Sequence, residues 1–167
     1  LIYKNKKATI KKYWDFNFNS ENRSEDYYAE FLERTLKAAV KRHLVADVPI
    51  GHFLSGGIDS SSILAMISTL RKEEGDNKEI NTFSVGFGSE EVLSELKYAK
   101  LAAEKFSTNH HELIIEEDAI KDFPKIIWHM DEPMPNVTLI PLYHMAKKTR
   151  KFVTVITTGN AGDELFA

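Results

Sequence analysis

No cysteine occurs in the 167 residues, which excludes disulfides, thiolate metal sites and a cysteine nucleophile within this chain. No stretch approaches the roughly 20 consecutive apolar residues that span a bilayer. The opening LIYKNKKATIKKYWDF has neither the apolar core nor the small-residue cleavage site of a secretory signal. A cytoplasmic protein without a membrane partner is the resulting expectation. An excess of one charge is also missing: 22 Lys and Arg are scattered among 25 Asp and Glu, for a formal net charge of −3. That balance gives neither a nucleic-acid footprint nor a polybasic membrane patch, and a small polar ligand fits better. Fixed-length repeats and low-complexity tracts are absent as well.

What is present suffices for one globular core, with 43% hydrophobic and 28% charged residues. Leu1 is not an initiator residue, and GDELFA stops where an acidic residue after glycine would begin a helix. The sequence is therefore expected to be a piece of a longer protein. Residues 1–23 are basic and aromatic, end in turn-forming Asn17, Asn19, Ser20 and Asn22, and read as a linker or edge hairpin. Residues 24–167 read as a single domain. In EDYYAEFLERTLKAAVKRHLV the spacing of Tyr28, Phe31, Leu32, Leu36, Ala39, Val40 and Leu44 predicts a long amphipathic helix, with Ser24 able to cap it.

From Val48 onward, short apolar runs (VPIGHFL, INTFSVGF, HHELII, FVTVITT) alternate with segments of helical periodicity. Such alternation indicates an α/β fold, a doubly wound parallel sheet with helices on both faces. Ligands in these sheets bind at the carboxyl ends of the strands where the winding reverses. Two glycine-rich loops fall there, FLSGGIDSSS after the first strand and TTGNAGDELF after the fourth. If the strand order is the 3-2-1-4 of the common doubly wound sheet, those strands are neighbours and both loops would face one site.

The first loop lacks the spacing and the lysine of a Walker-type phosphate loop. It keeps the other parts of an anion cradle: Gly56 and Gly57 for a tight turn with N–H groups turned to the ligand, hydroxyls at Ser55, Ser60 and Ser61, and a helix start. Asp59 would repel a phosphate unless a cation lay between them, so it argues for Mg²⁺ bridging carboxylate and phosphate oxygens. In the second loop Gly159 and Gly162 bracket Asn160 and Ala161, and Asp163 offers a second carboxylate to the same metal. The pair of loops is expected to hold a magnesium-bound polyphosphate, with Asp59 and Asp163 on one edge of the sheet.

The block SGGIDSS after a strand resembles the signature of the N-type ATP pyrophosphatases, of adenine nucleotide alpha hydrolase-like fold. Its companions TFSVGF, SELKYAKLAAEKFSTNHHEL, WHMDEP and GDELFA narrow the likeness to the synthetase domain of the asparagine synthetase family, in the same order over roughly residues 10 to 167. The resemblance implies ATP and Mg²⁺ as cofactors, an aspartyl adenylate formed from aspartate and MgATP, and attack by ammonia to give asparagine. By matching position it implies that Ser55, Gly56, Gly57, Asp59 and Ser60 hold pyrophosphate, that Phe53, Val85, Thr158 and Gly159 contact the adenosine part, and that Asp59 and Asp163 bind the metal. Three departures accompany it. Thr158-Gly159-Asn160-Ala161 replaces serine-glycine-acid-glycine, losing a charge and restricting the backbone. The glutaminase domain with its cysteine nucleophile is missing, and so is the C-terminal half that supplies a lysine to the site. Two other functions stay open: a relative acting on another carboxylate, such as a β-lactam-forming or polysaccharide-modifying enzyme, and a nucleotide-binding module without catalysis. A homodimer also stays open.

Other polar clusters carry plainer readings. His110 and His111 are adjacent on a strand and must point to opposite faces, so with Glu112 they read as structural rather than metal-binding. Asp131 and Glu132, before Pro133, read as a solvated turn or, by family position, a wall of the amino-acid site. Tyr98, Leu101, Ala102 and Phe106 read as core.

Overall fold

The computed structural model describes every residue except 19–20, 88–89, 116, 133–135, 137, 161 and 167, and leaves the side chains of 87, 90–95, 117–118, 163 and 166 undescribed. The chain divides into two units, residues 1–33 and 34–167. In the first, β1 (Ile2–Lys4) and β2 (Lys7–Thr9) pair antiparallel, Ile2 opposite Thr9. Asn5 and Lys6 join them, both at positive φ (52° and 59°), the backbone a two-residue primed turn requires. Residues 2–9 thus form a two-stranded hairpin that is its own sheet. Helix α1 (Glu25–His43) starts as the sequence indicates, with Ser24 Oγ accepting from the Tyr27 amide at 3.2 Å.

The second unit is built on a four-stranded parallel sheet. Its elements in chain order are β3 (Ile50–Phe53), α2 (Ile58–Glu73), β4 (Asn81–Phe87), α3 (Glu90–Lys105), β5 (Asn109–Ile115), a 3-10 turn (Glu117–Asp122), α4 (Phe123–Met130), α5 (Leu139–Thr149), β6 (Val155–Thr157) and α6 (Gly162–Phe166). The strand order is β5-β4-β3-β6, the anticipated 3-2-1-4, with Gly51 opposite Asn81 on one side and Ile156 on the other. Strand side chains alternate between faces. His52, Thr82 and His110 share a register row, and Phe83 and His111 belong to the next.

Each face is covered by helices. On one face Val40 of α1, Leu64, Ile67 and Leu70 of α2, and Ala99 and Ala103 of α3 pack with Leu54 and Ile80. On the other, the Phe83 ring stacks on His111 at 4.9 Å and meets Phe152 at 5.8 Å, while α5 packs over β4 and β5. The two histidines therefore diverge as expected: His110 Nδ1 bonds Thr82 Oγ1 at 2.9 Å, whereas His111 Nε2 approaches Asn81 Oδ1 at 3.2 Å.

Two assignments differ from the sequence reading. Ala102 and Phe106 pack against the core, but Tyr98 and Leu101 are 61% and 53% exposed. Helical periodicity marks an apolar stripe, and α3 turns only the Ala99–Ala103 edge of that stripe inward. The apolar face of α1 narrows similarly. Val40 is buried, while Tyr28, Phe31 and Leu32 are exposed. No helix among the described residues is long and apolar enough to cross a membrane.

Candidate functional site

The loop after β3 takes its shape from one glycine and two serines. Gly56 has φ +84°, and a Cβ there would lie 2.5 Å from the Ala99 amide nitrogen and 2.7 Å from the Tyr98 carbonyl carbon. Both the turn and the close approach of the α3 backbone thus require glycine. Gly57 is different. At φ −69° and ψ 165° any residue fits, so its place in the turn does not explain it. A Cβ there would meet only Ser55 Oγ, at 3.4 Å, and would otherwise occupy the space in front of the loop.

The serine hydroxyls are largely engaged within the loop. Ser60 Oγ donates to the Gly57 carbonyl at 3.3 Å and lies 3.0 Å from Ser55 Oγ, which in turn accepts from the Gly57 amide at 3.3 Å. Ser60 is buried. Instead of free hydroxyl donors, the loop offers the start of a 16-residue helix that no side chain caps. The Ile58, Asp59 and Ser60 amides have no acceptor within the helix, and an anion is their natural partner.

The second loop closes on that helix start. A Cβ at Gly159 would sit 2.8 Å from the Ser60 amide nitrogen and 3.0 Å from the Asp59 carbonyl carbon, and a Cβ at Gly162 would overlap the Asp59 carboxylate. Glycine at 159 lets the two loops meet backbone to backbone, and glycine at 162 leaves room for the Asp59 carboxylate. The Asp59 carboxylate consequently lies beside the residue that precedes Asp163. Asp163 falls in α6, but its side chain lies outside the described residues, as does Ala161.

Between the loops, at the carboxyl ends of β3 and β6 where the winding reverses, lies a cavity of about 490 Å³. Phe53, Ser55, Gly57, Asp59, Ser60, Val85, Thr158 and Gly159 all line it. Of the residues singled out from the sequence, Gly56 serves from behind, against α3. Other lining residues were not singled out individually: Ile58, Ser84 and Leu96, which lie inside the quoted motif blocks, and Met145, which lies outside them. Ser84 donates its hydroxyl to the Leu54 carbonyl, holding the end of β3. Asp131 and Glu132 are exposed at the end of α4 and do not line the cavity, which accords with a solvated turn. Pro133 lies outside the described residues.

His52 also escaped the sequence reading. Fully buried, it places Nε2 2.8 Å from the Ser60 carbonyl and Nδ1 2.9 Å from Thr157 Oγ1. Since a carbonyl only accepts, Nε2 carries the proton, and Nδ1 of the neutral ring takes the one Thr157 hydroxyl hydrogen, for which the Gly51 carbonyl at 3.2 Å competes. Burial pushes this imidazole below the ordinary histidine range, against smaller upward effects of the Ser60 and Thr157 backbone. The neutral ring fits that bond pattern. Its signal was a polar residue in a strand covered on both faces, where an uninterrupted apolar run is the norm.

The arrangement suits a polyphosphate with its cation. It offers the first amides of a helix that no side chain caps, a space that a Cβ at Gly57 would fill, and one carboxylate in the wall. Magnesium commonly takes one or two protein carboxylates and completes its shell with phosphate oxygens and water. Among the described residues no cluster of three or more His, Asp or Glu forms an all-protein metal cage.

Comparison with known proteins agrees with this geometry. The family model for asparagine synthase matches residues 32–167. An asparagine synthetase (glutamine-hydrolysing) of Bacillus subtilis is 37% identical over 95% of this chain and 24% of its own length. A putative asparagine synthetase (glutamine-hydrolysing) of Methanocaldococcus jannaschii is 35% identical over 99% of this chain and 32% of its own. Amidase chyE of Penicillium rubens is 29% identical over 98% of this chain and 26% of its own. The chain thus spans about a quarter to a third of these relatives' lengths. Among solved structures, NAD+ synthetase from Burkholderia pseudomallei aligns over 78% of this chain and 55% of its own, with 13% identity and a TM-score of 0.37. The family match over residues 32–167, which contain both glycine loops, shows that the chain belongs to the asparagine synthase family.

Proposed function

We propose that residues 24–167 are the ATP-pyrophosphatase-type synthetase domain of an asparagine synthase-like ligase that activates a carboxylate with ATP, and that residues 1–23 lead in from a glutaminase domain outside this chain. Aspartate is the acceptor and ammonia the nitrogen donor. The observation that carries the reading is the cavity between the two glycine loops, with the uncapped start of α2 and the Asp59 carboxylate both in its wall.

The reaction needs no covalent bond to the protein. A carboxylate oxygen of aspartate bonds to the α-phosphorus of ATP, the bond to the departing phosphate oxygen breaks, and pyrophosphate leaves. Ammonia then bonds to the acyl carbon, loses a proton and expels AMP. The Ile58, Asp59 and Ser60 amides offer donors where charge grows on the pyrophosphate. Gly57 leaves room for it, and Ser55 and Ser60 hold the loop in shape. Phe53, Val85, Thr158 and Gly159 bound the adenosine end. Mg²⁺ held by Asp59, with Asp163, would neutralise phosphate charge. Glutamine-derived ammonia has to arrive from elsewhere, because glutamine hydrolysis in this family uses a cysteine and these residues contain none.

The test is exchange of labelled pyrophosphate into ATP by the full chain. Exchange is expected only with the carboxylate substrate present, and Asp59→Asn should abolish it while leaving the circular dichroism spectrum unchanged. Exchange without any carboxylate, or unaltered exchange in the variant, would sink the adenylate mechanism or the site. The amidase-named relative favours a second reading, in which the same chemistry serves a different carboxylate. A panel of amino and keto acids in the same assay separates the two. ATP binding without exchange on any acid would leave a nucleotide-binding module instead.

A further inference from the structure

The two loops belong to the neighbouring strands β3 and β6, and where they meet, at Gly159 on Ser60, they approach so closely that a Cβ at Gly159 would lie 2.8 Å from the Ser60 amide nitrogen, with no directed bond between them. Such a contact fixes no angle, so the spacing of the loops has to be set beneath it. His52 lies there. It sits on β3 and bonds the first turn of α2 through the Ser60 carbonyl and the last residue of β6 through the Thr157 hydroxyl. Thr157 immediately precedes Thr158 and Gly159, and its hydroxyl also lies 3.2 Å from the Gly51 carbonyl. The ring does not line the cavity and is 0% exposed, so it touches no ligand.

We propose that His52 is a positioning residue whose imidazole, bonded at once to Ser60 and Thr157, sets the distance between the two loops and thereby the grip on the triphosphate and its cation. Two features favour this over simple core filling. The ring occupies a strand position covered on both faces, where an aliphatic side chain would pack without polar atoms to satisfy. Both its nitrogens are also satisfied, by groups one residue or less from the cavity wall. The coupling depends on directed bonds, so a side chain of similar bulk without polar atoms should keep the fold and lose the spacing. The proposal rests on the nucleotide-binding reading given above.

Two variants in the full chain test it. His52→Leu removes both bonds, while His52→Gln retains one donor and one acceptor. In pyrophosphate exchange, His52→Leu should raise the KM for MgATP about tenfold with a smaller change in kcat, as expected when directed bonds that hold a binding geometry are lost. His52→Gln should restore KM to within about threefold. Without ligand, His52→Leu should speed amide hydrogen exchange both at residues 58–61 and at 158–160. A lowered melting temperature with unchanged KM would mark His52 as core packing only and overturn the proposal. Faster exchange confined to one loop would overturn it equally. Wild-type protein that neither exchanges pyrophosphate nor binds MgATP would overturn the nucleotide reading itself; loop exchange, which needs no ligand, still decides the coupling.

Discussion

Two adjacent glycines in SGG have different reasons to be glycine. Gly56 has a left-handed φ and abuts backbone atoms of α3 that cannot yield as a flexible side chain would. Gly56→Ala should therefore cost about 2 kcal/mol or more, since the left-handed backbone alone costs roughly 1–2 kcal/mol and the clash adds to it. At this chain length that lowers Tm by about 4–8 °C, measurable by calorimetry. Gly57→Ala should change stability by under about 0.5 kcal/mol, because nothing lies within 3.4 Å of the new methyl. Its effect belongs to ligand binding, as a weaker affinity for MgATP in titration. Equal destabilisation by the two would contradict the loop geometry. Motif spacing showed that both positions matter, but φ and the α3 backbone decide why.

At the scale of elements, α2 is held by its buried face far more than by its charges. Leu64 is 0% exposed at the centre of the cluster that joins α1, α2 and α3. Leu64→Ala should cost about 2–5 kcal/mol by lost burial and a residual cavity. The ion pair from Lys37 of α1 to Glu73 of α2, 2.6 Å long and half exposed, contributes at most about 1 kcal/mol. Urea denaturation of Leu64→Ala and Lys37→Ala should rank them in that order, and the reverse order would show α2 to be held by charge. The common doubly wound sheet supplied the strand order, and alternating apolar runs and helical stripes made the parallel sheet and its helical layers legible in advance. The inward edge of each stripe was not. Tyr98 and Leu101 follow the period as faithfully as Ala99, Ala102 and Phe106, and only the roll of α3 against the sheet separates them.

For the whole molecule, one buried histidine, His52, and one half-buried, His110, make stability depend on pH. Burial is the main reason that His52 and His110 titrate below the ordinary value of 6.5. As pH falls through that value the unfolded chain takes up protons that the folded chain refuses, so the folded state loses ground. Their contribution is complete above about pH 6.5, declines toward each folded pKa and is level below it. Denaturation midpoints should therefore fall between about pH 7.5 and pH 5. His52→Gln should flatten part of that slope, and an unchanged slope would show that His52 does not titrate as its burial requires.

The sequence by itself determined the parallel α/β sheet and a glycine-rich loop at the end of each of two of its strands. Those features follow from local periodicity, turn chemistry and the handedness of crossovers, all written in short windows of residues. Tertiary structure alone decided that β3 and β6 are neighbours, that Gly159 closes on the Ser60 backbone and Gly162 on the Asp59 carboxylate, and that His52 joins three elements. Each of those facts needs groups far apart in the chain, as the 105 positions between His52 and Thr157 show. No local window contains both partners, so only the packed fold could pair them.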